Sequence, residues 1–165
     1  MQAINGAIIL KALVLIGTAN TSPLLLKWLA GGRHFRPLDN GFVFLDGRPL
    51  LGHSKTWAGI ACSLAACAVV APILGLAIEA GLCAAAAAMA GDLSSSFIKR
   101  RLGLSSSAPA PGLDQVPEAI LPLFALRAFL PLTWSEMATA LLLFVLGEIT
   151  IASLLERCGL REPPF

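Results

Sequence analysis

The sequence predicts an all-α, polytopic membrane protein with about five transmembrane helices and two loops on one membrane face. Hydrophobic residues make up 56% of the 165 positions and charged residues only 13%, and the mean hydropathy is +0.78, a balance foreign to soluble domains. The charges are also segregated. Trp57 to Ala77 carries none in 21 residues, and at 1.5 Å per residue such a helix crosses a hydrocarbon core of about 30 Å. The length suits a single integral membrane domain over 1–165, with no internal repeat.

The first apolar segment, about 5–29, has no basic stretch before it and holds Lys11 within it, which predicts a retained span rather than a cleaved signal peptide. The second runs over about 57–78, the third over 80–97, the fourth over 116–132 and the fifth over 134–156. A first loop, about 31–55, is Gly/Pro-rich with turn signals at "DNG" and "DGRP"; a second, about 98–115, begins with cations and continues Ser/Ala/Pro-rich.

Five spans put both loops and the C-terminus on one side. Lys27, Arg33, Arg36, Arg48, Lys55, Lys99, Arg100, Arg101, Arg157 and Arg161 all fall there, ten of the twelve Lys and Arg residues. The connections on the other side carry Glu79 and Glu136 and no cation. The positive-inside rule then makes the loops cytoplasmic and the N-terminus external, in a cell (inner) membrane. The net charge of +2 is uninformative beside this placement, and no nucleic-acid partner is expected. Cys62, Cys67, Cys83 and Cys158 form no CxxC pair, and His34 and His53 lack partners at metal-ligand spacing. The run Ala84 to Ala88 suits close helix packing or a homodimer contact.

The candidate chemistry lies at "GDLSSSFIKRRLGL", where an aspartate follows an apolar run. On a helix, Asp92, Ser95, Ser96 and Lys99 share one face, with Arg100 beside it. An ionisable group at membrane depth is costly unless it faces a partner or cavity, so Asp92 is a site candidate. Lys55 and Asp114, from the flanking loops, fall at the same membrane level. Carboxylates without Cys or His partners suit Mg²⁺, and clustered Lys and Arg suit phosphate oxygens. Phosphoryl or nucleotidyl transfer at a membrane surface fits this set. The same residues also admit plainer roles: a positive-inside anchor for "KRR", helix packing for the serines, an interfacial anchor for Trp57.

The ordered motifs "GHSKTWAG", "GDLSSSFIKRRLGL" and "PGLDQ", with the loop "RPLDNGFVFLDGRPLLGHSKTW" and the tail "LLERCGLREPPF", resemble the CDP-archaeol synthase family and, more distantly, phosphatidate cytidylyltransferases. The resemblance implies a Mg²⁺-dependent CTP:lipid-phosphate cytidylyltransferase that forms a CDP-activated lipid and pyrophosphate. It implies that Asp92 and Asp114 hold Mg²⁺ and that Lys55 and Lys99 act with them on phosphate charge. It implies substrate contacts from Asp39, Asp46, Arg48, Ser54, Thr56, Trp57, Ser95, Ser96, Arg100, Arg101 and Gln115.

The chain departs from the family where "LDQ" is usually followed by a second acid two residues on. Here the run is "LDQVPEA", with Pro117 at that position and Glu118 one later. Glu118 is a substitute metal ligand if Pro117 opens the helix at its first position, although one residue turns a helical side chain by about 100°. "KTWAG" has Ala58 where an arginine or glutamate is common, and "LSSSAPAPG" lacks a usual glycine. The alternative reading is a non-catalytic relative that binds an anionic lipid or nucleotide, or serves as a membrane partner subunit.

Overall fold

The computed structural model describes residues 4–31, 35–106, 108, 110 and 112–157, with backbone alone for 155–157. Arg33, His34, Cys158, Arg161 and the side chain of Arg157 lie outside the described residues. Five helices follow in order: α1 (Gly6–Leu29), α2 (Trp57–Ile73), α3 (Ile78–Arg101), α4 (Gln115–Leu126) and α5 (Trp134–Arg157). The all-α, polytopic expectation holds. Among the described residues no strand forms, and the first loop (loop 1, residues 35–56) is tied by two isolated bridges, Pro37 to Thr56 and Val43 to Pro49.

Helix α1 starts where the Asn5 side chain accepts from the amides of Ala7 and Ile8, at 3.1 and 3.4 Å, satisfying two of the first-turn donors. Pro23 lies inside it and cannot donate to the Ala19 carbonyl. That carbonyl is taken up by the Ser63 hydroxyl of α2, at 2.9 Å and fully buried. Without water in the bilayer, a neighbour's hydroxyl is what makes such a proline tolerable.

Helix α2 is capped by Thr56, whose Oγ1 accepts from the Gly59 amide at 3.1 Å. It ends at Ile73, several residues before the expected 78. Pro72 in the last turn and Gly75 at φ +70° turn the chain there, so a four-residue connection leads into α3. Where α2 and α3 cross, a Cβ on Gly81 would press on the Cys67 carbonyl, 2.8 Å from its carbon. The helices approach at backbone distance, and Ala71, Ala84, Ala85 and Ala88 are buried in the bundle.

Helix α3 continues beyond the expected 97 through Lys99, Arg100 and Arg101, because three cations in a last turn complement the helix dipole. Helix α4 has only 12 residues, about 18 Å, so the expected fourth span (116–132) pairs a short helix with a non-helical stretch through Leu130, Pro131 and Leu132. Pro117 is the third residue of α4 rather than the first; that position is still free of an intrahelical acceptor and tolerates proline. Helix α5 opens on a capping box: Glu136 Oε2 accepts from the Thr133 amide at 2.9 Å, and Thr133 Oγ1 accepts from the Glu136 amide at 3.3 Å. Glu136 Oε1 also accepts from the Asn5 amide at 2.9 Å, tying the start of α1 to the start of α5 at the end away from the loops.

Helices α1, α3 and α5 (to Leu154) are long and apolar enough to cross a membrane; α2 and α4 are shorter. The closest packing joins α3 to α4, α1 to α2 and α2 to α3. The core is built of Leu15, Ile16, Leu123 and Leu126 set among buried alanines.

Candidate active site

The polar face of α3 is buried as its spacing requires. Ser95, Ser96, Lys99 and Arg100 are all buried, and Ser95 Oγ donates to the Asp92 carbonyl at 3.0 Å. Three elements close over this face: loop 1, the segment after α3, and the first turn of α4.

From loop 1, the Lys55 ammonium forms an ion pair with Asp92, both side chains about one-fifth exposed. From the α3–α4 connection, Asp114 Oδ1 pairs with Lys99 Nζ at 2.7 Å, while its Oδ2 accepts from the Ala110 amide at 3.1 Å. Lys99 also donates to the Ala108 carbonyl at 3.3 Å. Asp114 immediately precedes α4, and Gln115 Oε1 accepts from the Gly112 amide at 2.7 Å, folding the turn that leads in.

Glu118 is the acid that comes to Asp92. Its half-buried carboxyl lies within electrostatic reach of the Asp92 carboxylate and of the Lys55 charge. The reason is Gly91. A Cβ there would stand 2.5 Å from the Pro117 carbonyl carbon and 2.8 Å from the Glu118 amide nitrogen, so the glycine admits the first turn of α4 directly against α3. The two ion pairs, Lys55 with Asp92 and Asp114 with Lys99, meet α3 at positions seven residues apart, about 10 Å along the helix. Among the described residues, no three acids, histidines or cysteines gather at metal-ligand spacing.

Arg100 is 4% exposed, donates from Nη2 to the Ser105 carbonyl, and has no partner for its Nε. It borders a cavity of about 400 Å³ lined also by Asp39, His53, Ser105 and Ser106. Gly52 (φ +93°) lies in this wall, where a Cβ would sit 3.1 Å from Arg100 Nη1. Ser54 and Ser106 hydroxyls, 3.0 Å apart, bridge loop 1 to the segment after α3.

Several expected contact residues are engaged within the wall of the cavity. Asp39 Oδ2 accepts from the amides of Leu51 and Gly52, both at 2.9 Å, and Oδ1 from Gly41 at 3.1 Å. Burial alone would raise its pKa, but these backbone donors together hold the carboxyl below the usual aspartate value. Arg48 donates to the carbonyls of Arg100 and Arg101, capping the end of α3. Arg101 pairs with Asp46 at 2.7 Å, donates to the Pro49 carbonyl, and stacks between Phe44 and Phe97 at 4.6 and 5.0 Å. Thr56 is the α2 cap, and Trp57 is 57% exposed at the start of that helix.

Glu148 is absent from the sequence-level candidates. It stands in α5 within electrostatic reach of Glu118. Its signal was present: an acid inside "LLLFVLGEITIASLL" meets the same membrane-depth criterion as Asp92.

Residues 6–165 match the CarS-like CDP-archaeol synthase family model. Two similar proteins are the CDP-archaeol synthases of Hyperthermus butylicus, 45% identical over 65% of this chain and 66% of that one, and of Aeropyrum pernix, 39% identical over 95% of this chain and 92% of that one. A solved structure described as an intramembrane enzyme for archaeal membrane lipid biosynthesis superposes with a TM-score of 0.72 at 33% identity, covering 91% of this chain and 94% of its own. The family model spans nearly the whole chain and a relative matches it at 39% identity over 95% of its length, so this chain belongs to the CDP-archaeol synthase family.

Proposed function

We propose that this chain transfers the cytidylyl group of CTP to the phosphate of an archaeol-type lipid at the cytoplasmic end of α3, with Mg²⁺ as cofactor. Its family is one of CTP-dependent cytidylyltransferases of membrane lipid biosynthesis, which makes it a nucleotidyltransferase. The observation that carries the site is Glu118 against Asp92, beside Lys55.

The donor set suits the metal. Two carboxylates in contact repel unless a proton or a cation lies between them, and Mg²⁺ takes hard oxygen donors, commonly one or two carboxylates completed by substrate phosphates. Asp92 and Glu118 would hold it, and Asp114 would orient Lys99 rather than share the ion. Glu118 would thereby fill the part of the second acid missing at Pro117, which favours catalysis over the non-catalytic reading. An ion held there would neutralise charge on the triphosphate and polarise the α-phosphoryl group.

The protein groups supply the rest. Arg100, with spare donors at the cavity wall, takes a phosphate of the nucleotide, while Lys55 and Lys99 offset the repulsion between an anionic acceptor and an anionic triphosphate. An oxygen of the lipid phosphate forms a bond to the α-phosphorus as the bond to the bridging oxygen breaks, and pyrophosphate leaves. The attacking phosphate is already ionised near neutrality, so no general base is required. Serines 54 and 106 close the nucleotide side; Asp39, Asp46, Arg48 and Arg101 hold the loop that forms it.

The test is purified protein with labelled CTP and Mg²⁺, offered a panel of isoprenoid-ether and diacyl glycerol phosphates. Product is expected with the ether lipids, none after Mg²⁺ is removed, and none from Asp92→Asn or Glu118→Gln. A folded preparation that forms no CDP-lipid from any member sinks the activity, and full turnover by Asp92→Asn sinks the site. Cysteine labelling from either side of sealed vesicles checks the proposed cytoplasmic loops and external N-terminus.

A further inference from the structure

We propose that Glu148 of α5 is a positioning residue of the site: across the α4–α5 contact its charge backs Glu118 and tightens the hold of the Asp92–Glu118 pair on a divalent cation. This role, which rests on the metal seat proposed above, brings α5 into the site.

Depth is the first observation. The three helices long and apolar enough to cross a membrane, α1, α3 and α5, all start at the end away from the loops, at Gly6, Ile78 and Trp134. Fourteen residues on (6 to 20, 78 to 92, 134 to 148), about 21 Å along each helix, stand Asn20, Asp92 and Glu148. The Asn5 amide donates to Glu136 Oε1 at 2.9 Å and ties the starts of α1 and α5 together. An amide and two carboxylates thus share one layer, about 9 Å short of the cytoplasmic edge of a hydrocarbon core of about 30 Å. Polar groups are costly there unless they face the bundle interior.

All three do so. On α5, Met137, Ala140 and Phe144 are buried, and the half-buried Glu148 is the next position of that stripe, while Leu142, Leu146 and Ile149 are exposed. Among the described residues α5 packs on α1 and α4 and on no other helix, so the Glu148 stripe is turned toward those two. On α1, the carbonyls of Leu15, Ala19 and Ser22 accept from the side chains of Cys67, Ser63 and Cys62, which marks the face turned to α2. Asn20 lies about 100° round from Ala19, in line with the buried Ile9 and Ile16, and so faces the remaining helices. Glu118 enters the same layer, because Gly91 admits its backbone against α3 beside Asp92, and it lies within electrostatic reach of Glu148.

The Asn20 side chain adds an independent sign. Its buried amide nitrogen has no hydrogen-bond partner among the described residues. A donor kept without an acceptor at this depth suits a layer that receives further oxygens, as a metal carrying phosphate oxygens would bring. Glu148 is not itself a ligand, since among the described residues no three acids gather at metal-ligand spacing. Its charge acts at longer range: it adds to the repulsion that a cation on Asp92 and Glu118 relieves, and so raises the affinity for that cation.

The experiment follows Mg²⁺ binding to the full chain in detergent, with CTP present and no lipid acceptor, through the rise in melting temperature. It is repeated with Mn²⁺ by electron paramagnetic resonance. Glu148→Gln is expected to raise the half-saturating concentration of either ion about tenfold, and Glu148→Asp, which keeps the charge, by less than about threefold. Without a divalent ion Glu148→Gln should melt no lower than wild type, because it removes a repulsion. With lipid acceptor added, its kcat should return toward wild type at saturating Mg²⁺. Half-saturation within twofold of wild type overturns the proposal, and so does an equal fall of the melt with and without Mg²⁺, which marks a packing role. Asp92→Asn is run beside it. Weakened Mg²⁺ binding there with wild-type binding in Glu148→Gln overturns the role of Glu148 alone, whereas wild-type binding in Asp92→Asn overturns the metal seat and this role with it.

Discussion

Gly91→Ala is the sharpest perturbation of the site, because it adds one methyl group and no charge. Its Cβ would stand 2.5 Å from the Pro117 carbonyl carbon and 2.8 Å from the Glu118 nitrogen. Ordinary carbon contacts lie at about 3.5–4.0 Å, so the first turn of α4 has to retreat by about 1 Å. Neither side of the contact is a flexible side chain, so the strain falls on backbone. Overpacking of this kind costs about 1–3 kcal/mol, while displacement of a reacting group by about 1 Å costs on the order of 100-fold in rate. CDP-lipid formation should therefore fall by about two orders of magnitude, with a far smaller loss of thermal stability. The assay is initial rate against Mg²⁺ concentration, run beside a melting curve in the same detergent. Wild-type turnover by Gly91→Ala would refute the claim that close approach of α4 places Glu118.

The remaining predictions concern the walls and the bundle. Arg101→Lys keeps a charge but loses the planar fork that meets Asp46 and Pro49 and the stacking between Phe44 and Phe97; loosening of loop 1 by about 1–2 kcal/mol is expected, seen as faster proteolysis within it. Ser63→Ala leaves the Ala19 carbonyl beside Pro23 without its donor and should cost about 1 kcal/mol in a detergent melt, whereas Ser63→Thr should retain most of it. Asp39 has a lowered folded-state pKa, so its contribution is complete above the ordinary aspartate range and is lost as the pH falls through the folded value. The melting difference between wild type and Asp39→Asn should hold from neutrality to about pH 4 and shrink below it. A constant difference down to pH 3 would contradict that role.

Much of the architecture is legible in the order of the residues, because a bilayer imposes rules that are local. An apolar run of spanning length must be helical, its cations must gather on one face, and Asp92 at membrane depth must have a partner. Ends of helices were less legible: Pro72 with Gly75 stops α2 early, and the cations of "KRR" extend α3 rather than end it.

The site divides the same way. Periodicity alone put Asp92, Ser95, Ser96 and Lys99 on one face, and the family pattern pointed to Lys55 and Asp114. It could not say which carboxylate reaches Asp92, since that depends on how closely α3 and α4 pack, and the packing turns on a missing Cβ at Gly91. Nor could it separate wall from site: Asp46, Arg48 and Arg101 carry the charges a phosphate would want, yet Arg48 meets the carbonyls ending α3 and Arg101 reaches back to Asp46 and Phe44, contacts 52 to 57 residues apart in the chain. Residue type and spacing set what each helix presents to its neighbours. Only the close packing of those helices, through contacts distant in sequence, decided that Glu118 and not Asp114 stands against Asp92.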